Sequence, residues 1–261
     1  MKFDKEKWKE LDINVDSLWI IGPRAKGGKH SNCYHGNFAP QIPNQMIRRY
    51  TEEGDVVADL FMGSGTTLFE CETLKRKFIG FDINQQIIDY VQDKMKDSSA
   101  DYYIHNCDVT STNASKCIET DLKLLGKKKL DLIITHPPYL DVVKFTDCPE
   151  DLSNIPNINT FIEMFIKAVK RAYQFLKKRG RLILVVGDVY KNSEVVPLGF
   201  YLMYAIKKEL KSTLKGIVVK DMVGNRAKIG QEALWRYRAL KYGNYLFKHE
   251  YIFVFRKEVS L

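Results

Sequence analysis

Apolar residues recur along this chain in short runs, separated by stretches with the spacing of amphipathic helices. The runs Val56 to Leu60, Phe78 to Phe81, Tyr102 to His105, Leu130 to Thr135, Leu182 to Val186, Gly216 to Val219 and Tyr251 to Phe255 predict seven strands. Helices are predicted near Thr66 to Leu74, Gln85 to Lys94, Ser115 to Leu125, Thr160 to Leu176 and Leu198 to Glu209. Ahead of the first strand, Ile42, Met46, Ile47 and Tyr50 share one helical face within Pro40 to Tyr50. Such alternation builds an α/β fold, a mostly parallel sheet with helices on both faces, whose ligands sit at the carboxyl ends of the strands. Asp59, Asp82, Asp108 and Thr135 stand at or just beyond such ends. Residues 1–37 break the pattern and read as an irregular lead-in, with a short helix near Lys5 to Leu11. Residues 38–261 read as a single domain.

The first strand feeds a turn, Phe61-Met62-Gly63-Ser64-Gly65-Thr66, that opens a helix. Glycines at 63 and 65 let a ligand approach the backbone, and the helix start offers unpaired N–H groups. A short Gly-x-Gly is equally at home in a plain structural turn, so the surroundings decide. The second strand ends in Asp82, about twenty residues beyond the glycines, where a carboxylate accepts from ribose hydroxyls. Neither the phosphate-cradle motif nor Gly-x-Gly-x-x-Gly is present, which favours a nucleoside without a pyrophosphate.

The fourth strand runs into His136-Pro137-Pro138-Tyr139. Consecutive prolines cannot continue a sheet ladder, and they stiffen the loop so that a backbone carbonyl is held outward beside an aromatic plate. The same residues would also serve as a strand stop or a polyproline docking motif, but their place at a strand end near the nucleoside turn argues for a site.

Composition narrows the class. Five cysteines, Cys33, Cys71, Cys107, Cys117 and Cys148, show no Cys-x-x-Cys pairing, so reduced thiols are expected and neither a disulfide framework nor a zinc site. The charged first ten residues contain no signal-peptide core and no apolar run is of spanning length, so a cytoplasmic protein without membrane insertion is expected. The net charge of +9 is localised: residues 207–257 hold 13 Lys or Arg against 4 Asp or Glu, while the remainder carries 28 of each sign. A basic stretch is often only a solvated face. Interleaved with Trp235, Tyr237, Tyr242 and Tyr245, this one also suits a polyanion with stackable bases.

Taken together, Asp59 to Thr67, Asp82, the Pro-Pro-Tyr loop, Leu176 to Asp188 and His249 to Lys257 resemble the S-adenosylmethionine-dependent DNA amino-methyltransferases, which modify cytosine N4 or adenine N6. The resemblance covers nearly the whole chain from about Asn37 to Lys257. It implies a Rossmann-like methyltransferase sheet of seven strands with the last antiparallel, and a site-specific enzyme of a restriction-modification or orphan system. It further implies S-adenosylmethionine as cofactor, DNA as partner and no metal. Phe38, Pro40 and Ile42 would line the methionine side. Asp59, Phe61, Gly63, Ser64, Gly65 and Thr66 would bind the cofactor through the first loop, Asp82 would hold the ribose, Asp108 would meet the adenine amino group, and Thr135 would also bind the cofactor. His136, Pro137, Pro138 and Tyr139 would carry the chemistry on a flipped base. The family usually has Asp, Asn or Ser where this chain has His136, and a Thr before it, as Thr135, is common in the cytosine-N4 branch.

Related enzymes with this motif order carry a separate recognition region after the catalytic part. Here the expected target contacts are the loops near 140–159 and 223–248, the latter with Arg226, Lys228, Arg236, Arg238 and Lys241, or else a second copy or a specificity subunit. RNA amino-methylation and a catalytically silent nucleic-acid-binding subunit are the competing readings.

Overall fold

The protein, seen here in a computed structural model, is described at residues 8–31, 34, 36–222, 230 and 232–259. Val56–Asp59 (β2) and Leu130–Thr135 (β5) are buried at every position, as strands covered by helices on both faces must be. Lys77–Asp82 (β3) and Tyr102–Asn106 (β4) extend the sheet beyond β2, and Leu176–Val186 (β6) extends it beyond β5. All pairings from β4 to β6 are parallel, so Asp59, Asp82 and Thr135 end on one edge. Beyond β6, His249–Lys257 (β10) lies antiparallel between β6 and Ser212–Asp221 (β9).

With Leu18–Trp19 (β1), the sheet has eight strands among the described residues, not seven, in the order β1-β9-β10-β6-β5-β2-β3-β4. The additional one comes from the lead-in and pairs in parallel with β9. Two residues carry no periodicity, which hides the strand from a pattern argument; Trp19, 1% exposed and donating its indole N–H to the Asp16 carbonyl, anchors it instead. A separate hairpin, Val189–Lys191 (β7) with Glu194–Val196 (β8), follows β6. Asn192 and Ser193 take positive φ at its turn, the twist a two-residue hairpin needs.

Gln41–Tyr50 (α1), Thr66–Thr73 (α2) and Gln85–Met95 (α3) pack into one core through Ile42, Met46, Leu68, Ile88 and Val91. Thr112–Leu124 (α4), Ile158–Tyr173 (α5) and Leu198–Glu209 (α6) pack into the other through Ile118, Phe161, Phe165, Leu202 and Ile206. Helix α4 starts earlier than predicted because Ser111 caps it, accepting from the Ala114 N–H. Helix α5 stops at Tyr173 rather than Leu176. Strand β6 begins there, and its register against β5 jumps from Leu130↔Leu176 to Leu132↔Arg181 around Arg179 at φ +63°. An unpredicted helix, Glu232–Tyr242 (α7), joins β9 to β10. The lead-in helix is a short 3₁₀ turn, Trp8–Glu10; residues 5–7 of the predicted span lie outside the described residues. Among the described residues no helix is long and apolar enough to cross a membrane.

Candidate active site

From Asp59 the chain turns through Phe61 to Gly65 into α2. Gly63 has φ +52° and Gly65 φ +84°, left-handed conformations that cost glycine least. A Cβ on Gly63 would lie 3.3 Å from the Tyr34 ring and 3.5 Å from Asn37 Oδ1, so the backbone is approached closely. Gly65 caps α2, and no side chain among the described residues bonds the helix's first N–H groups. Ser64 and Thr66 are buried and Phe61 is half-buried. Asp59 is fully buried and braces the turn from within. Its Oδ1 accepts from the Phe61 N–H (3.2 Å) and its Oδ2 from the Thr67 hydroxyl (2.5 Å). Burial pushes its carboxyl up to about 7, against the pull of those two bonds.

Asp82, at the end of β3, clasps the same turn. Its Oδ2 accepts from the Gly63 N–H (2.8 Å) and its Oδ1 from the Asn84 N–H (2.9 Å). Burial raises it to about 6, with the two backbone bonds opposing and Asp151 adding. A carboxylate oxygen has two lone pairs, so these bonds leave capacity for ribose hydroxyls. Asp108, beyond the end of β4, bends into its own turn, its oxygens accepting from the Thr110 N–H (2.8 Å) and hydroxyl (2.9 Å).

The chain preceding α1 roofs the site. Tyr34 lies on Gly63 and stacks with Phe145 at 5.5 Å between ring centroids. Phe38 meets the His136 ring edge-on at 5.1 Å. One short span therefore touches both motifs, the glycine turn through Tyr34 and Asn37 and the proline loop through Phe38. Pro40 leads into α1, whose Ile42 is wholly buried beneath. The lead-in is pinned by His30 on Glu70 (2.6 Å), which also accepts from Asn44 (2.7 Å), and by Lys29 on Glu72 (2.5 Å). Asn37 Nδ2 and Thr135 Oγ1 are buried without a hydrogen-bond partner among the described residues. A nucleoside-bearing ligand fits this set: a backbone cradle that side chains would fill, a half-buried acid beside it, and polar atoms still to be satisfied.

The proline loop leaves β5 at Thr135, with Pro137 buried and His136, Pro138 and Tyr139 half-buried. His136 Nε2 lies 3.1 Å from the Tyr139 oxygen, and the Tyr139 hydroxyl donates to Glu250 Oε2 at 3.4 Å. Lys220 Nζ pairs with Glu250 Oε1 at 2.9 Å; the two residues face each other across β9 and β10 and are 6% and 5% exposed. Burial lowers the His136 pKa below its ordinary 6.5, opposed by Glu250 and reinforced by Lys220, so the imidazole is neutral near pH 7. The sequence reading gave Glu250, Lys220, Tyr34 and Asn37 no role. For Glu250 a signal existed: strand alternation puts it on the face of Ile252 and Val254, both buried, where a lone carboxylate needs a partner.

Of the predicted nucleic-acid contacts, Arg226 and Lys228 lie outside the described residues, whereas Arg236, Arg238 and Lys241 are exposed on α7. The Arg238 guanidinium stands 5.4 Å over the Trp235 ring and Lys241 5.3 Å over Tyr242. Helix α7 connects the end of β9 to the start of β10, the sheet edge where β5 delivers His136. Tyr190 of β7 donates to the Tyr245 carbonyl (2.8 Å) and stacks on Phe247 (4.8 Å), which ties the hairpin to the chain after α7. A groove of about 1150 Å³ between α5 and α6 touches none of the motif residues.

The fold is shared with solved structures at low identity. These include a putative methyltransferase from Streptococcus mutans in complex with SAH (13% identity, TM-score 0.50, 85% of this chain and 99% of that one). They also include the [4+2]-cyclase SpnF (13%, TM-score 0.53, 85% and 82%), so fold alone does not fix the reaction. Among curated proteins, the Type II methyltransferase M.MjaII of Methanocaldococcus jannaschii is 43% identical over 89 residues, 31% of this chain and 17% of that protein. M.BglI of Bacillus subtilis is 30% identical over 128 residues, 49% and 33%. A bifunctional methyltransferase of Rickettsia conorii is 25% identical over 235 residues, 84% and 41%. The chain thus spans less than half the length of each of these relatives. Residues 1–93 and 130–260 match the N6/N4 methyltransferase family described as DNA methylase, and with most of its length so matched the chain belongs to the S-adenosylmethionine-dependent DNA amino-methyltransferases.

Proposed function

We propose that this protein methylates the exocyclic amino group of a base in DNA, with cytosine N4 favoured over adenine N6 by Thr135 ahead of the proline loop. One observation carries the reading. The span from Tyr34 to Phe38 touches Gly63 on one side and His136 on the other, so the cofactor turn and the acceptor loop share one cleft. Gly63, Gly65 and Asp82 would hold the adenosine moiety, with Phe38, Asn37 and Thr135 lining the path to the proline loop. S-adenosylmethionine, when bound, supplies an electrophilic methyl group.

The amine determines what the protein must do. Its lone pair is conjugated into the ring, so on taking up a methyl group the nitrogen would become cationic and would have to pass one proton to solvent. The Pro137 carbonyl and neutral His136 are acceptors for the amino hydrogens. Each such bond, strengthening as charge develops, contributes about 1.5–3 kcal/mol, roughly tenfold to a hundredfold in rate. The base must leave the duplex stack to reach them. Helix α7, on the same edge, suits the phosphate backbone.

The test is incubation with labelled cofactor and duplex DNA, single-stranded DNA and RNA, followed by digestion to nucleosides. Labelled N4-methylcytidine or N6-methyladenosine in the deoxy series is expected; label only in ribonucleosides would move the substrate to RNA. Single-turnover rates at saturating cofactor should fall below about 6.5, since the His136 pKa is lowered from that value; Asp82, raised to about 6, adds to the same limb, and His136→Asn should remove the His136 part of it. The Tyr34 ring on Gly63 and the two engaged oxygens of Asp82 favour one other reading, a silent DNA-binding subunit. Binding of DNA without transfer of label to any nucleic acid would select it.

A further inference from the structure

We propose that the buried Lys220–Glu250 pair is a positioning device for the acceptor: through Tyr139 it fixes His136 in the tautomer whose Nδ1 lone pair is free. The inference deepens the amino-methyl transfer reading and rests on it for its catalytic consequence, though not for its geometry.

The hydrogen-bond inventory leads to it. A tyrosine hydroxyl has one proton to give. Glu250, an acceptor only as a carboxylate and held by Lys220 Nζ at 2.9 Å, takes that proton at 3.4 Å. The Tyr139 oxygen, which also takes a bond from the Gly187 backbone N–H, can then act toward His136, 3.1 Å away, only as an acceptor, and that requires the hydrogen of the neutral ring to be on Nε2. Nδ1 is left as the acceptor. The opposite tautomer would put two acceptors, Nε2 and Glu250, around one phenolic proton and present an N–H where the reaction needs a lone pair.

The strands make this arrangement available. Glu250 and Lys220 are directly paired residues of β10 and β9, two and three strands away from the β5 strand that the loop follows. The Tyr139 ring bridges that gap by passing over Gly187, just beyond the end of β6, where a Cβ would lie 3.1 Å from its Cε2. Glycine there lets the phenol cross. The charged and titratable groups facing the chain of bonds are Glu250 and Lys220 from the paired strands and Asp188, which acts on Tyr139 from the segment after β6. A buried ion pair is weak evidence for stability, but holding one geometry is a use that fits its cost.

The readout is the tautomer itself, measured by long-range proton–nitrogen correlation of the histidine rings in the whole protein, with His136→Gln to assign the signal. In the unaltered protein at pH 7 the ring is expected neutral with its hydrogen on Nε2; a hydrogen on Nδ1, or a doubly protonated ring, would overturn the proposal. The double variant Lys220→Met with Glu250→Leu removes both charges together, so no unpaired ion is left behind. Tyr139 then has only His136 to donate to, and the hydrogen should move to Nδ1. Turnover should fall roughly tenfold to a hundredfold, one acceptor bond, with the KM for the cofactor unchanged. Unchanged turnover in a folded double variant would also overturn it. The tautomer can be read whether or not a substrate is methylated, so a wrong substrate and a wrong bond chain give different results.

Discussion

Asp59 is an acid sealed inside the turn it braces, and its charge works against the fold. With the folded-state pKa raised from 3.8 to about 7, the native protein holds this proton more tightly than the unfolded chain does. Its contribution is therefore fully favourable below about pH 4 and is lost as pH rises toward 7. Asp59→Asn, which keeps an acceptor for the Phe61 N–H, should gain stability relative to the parent across that window, by up to about 1.4 kcal/mol per unit of the shift. Urea unfolding of both proteins at several values between pH 4 and 8 checks this; a difference that does not change with pH would contradict it. Affinity for S-adenosylmethionine should change little, because the Asp59 side chain is wholly buried. At this scale the structure brings together several of the residues singled out in the sequence: Asp82 bonds the Gly63 N–H, and Phe38 meets His136. Gly63, Gly65, Asp82 and His136 to Tyr139 were legible because each sits at a fixed offset from a strand end. The role of Asp59 as a brace was not, since an acid after an apolar run looks the same whether it faces a ligand or a neighbouring hydroxyl. Lys220 and Glu250 were illegible as a pair because strand register, not spacing along the chain, brings them together.

Among the elements, the long buried strands announced themselves by continuous apolar runs, whereas β1 and α7 did not. Strand β1 has only two residues, and among the described side chains of α7 none is buried, so neither offers a periodic face. A helix exposed along most of its length, with Leu234, Tyr237, Leu240 and Tyr242 left in solvent beside its cations, needs another reason to be there, and α7 offers those cations at the sheet edge where β5 delivers His136. Replacing Arg236 and Arg238 together with alanine should weaken DNA binding at every sequence and reduce the slope of log affinity against log salt by about 2, near one unit per phosphate contact. Circular dichroism should show the fold intact, since the outward-facing pair supports no core. A slope that does not move would place the DNA elsewhere, with the loop near 140–159 the next surface to examine.

For the molecule as a whole, a ligand seated on the glycine turn would couple binding to stability, because Gly63 is clasped by Asp82 from β3 and covered by Tyr34 from the lead-in. S-adenosylmethionine at a hundred times its Kd should stabilise the protein by about 2.7 kcal/mol, read as a Tm rise of several degrees. Gly63→Ala should abolish most of the rise, since its φ is +52° and the added methyl would press on Tyr34 and Asn37. A full rise in that variant would show that the ligand sits away from the turn. The order of the strands has a consequence of a different kind. Strand β10 is translated after both strands it separates, so a growing chain carrying β6 and β9 has a gap in its sheet and two open edges. Until that gap closes, Lys220 has no counter-ion and Tyr139 no carboxylate to reach. During synthesis, then, the chain of bonds that reaches His136 would be completed only after β10 has entered the sheet.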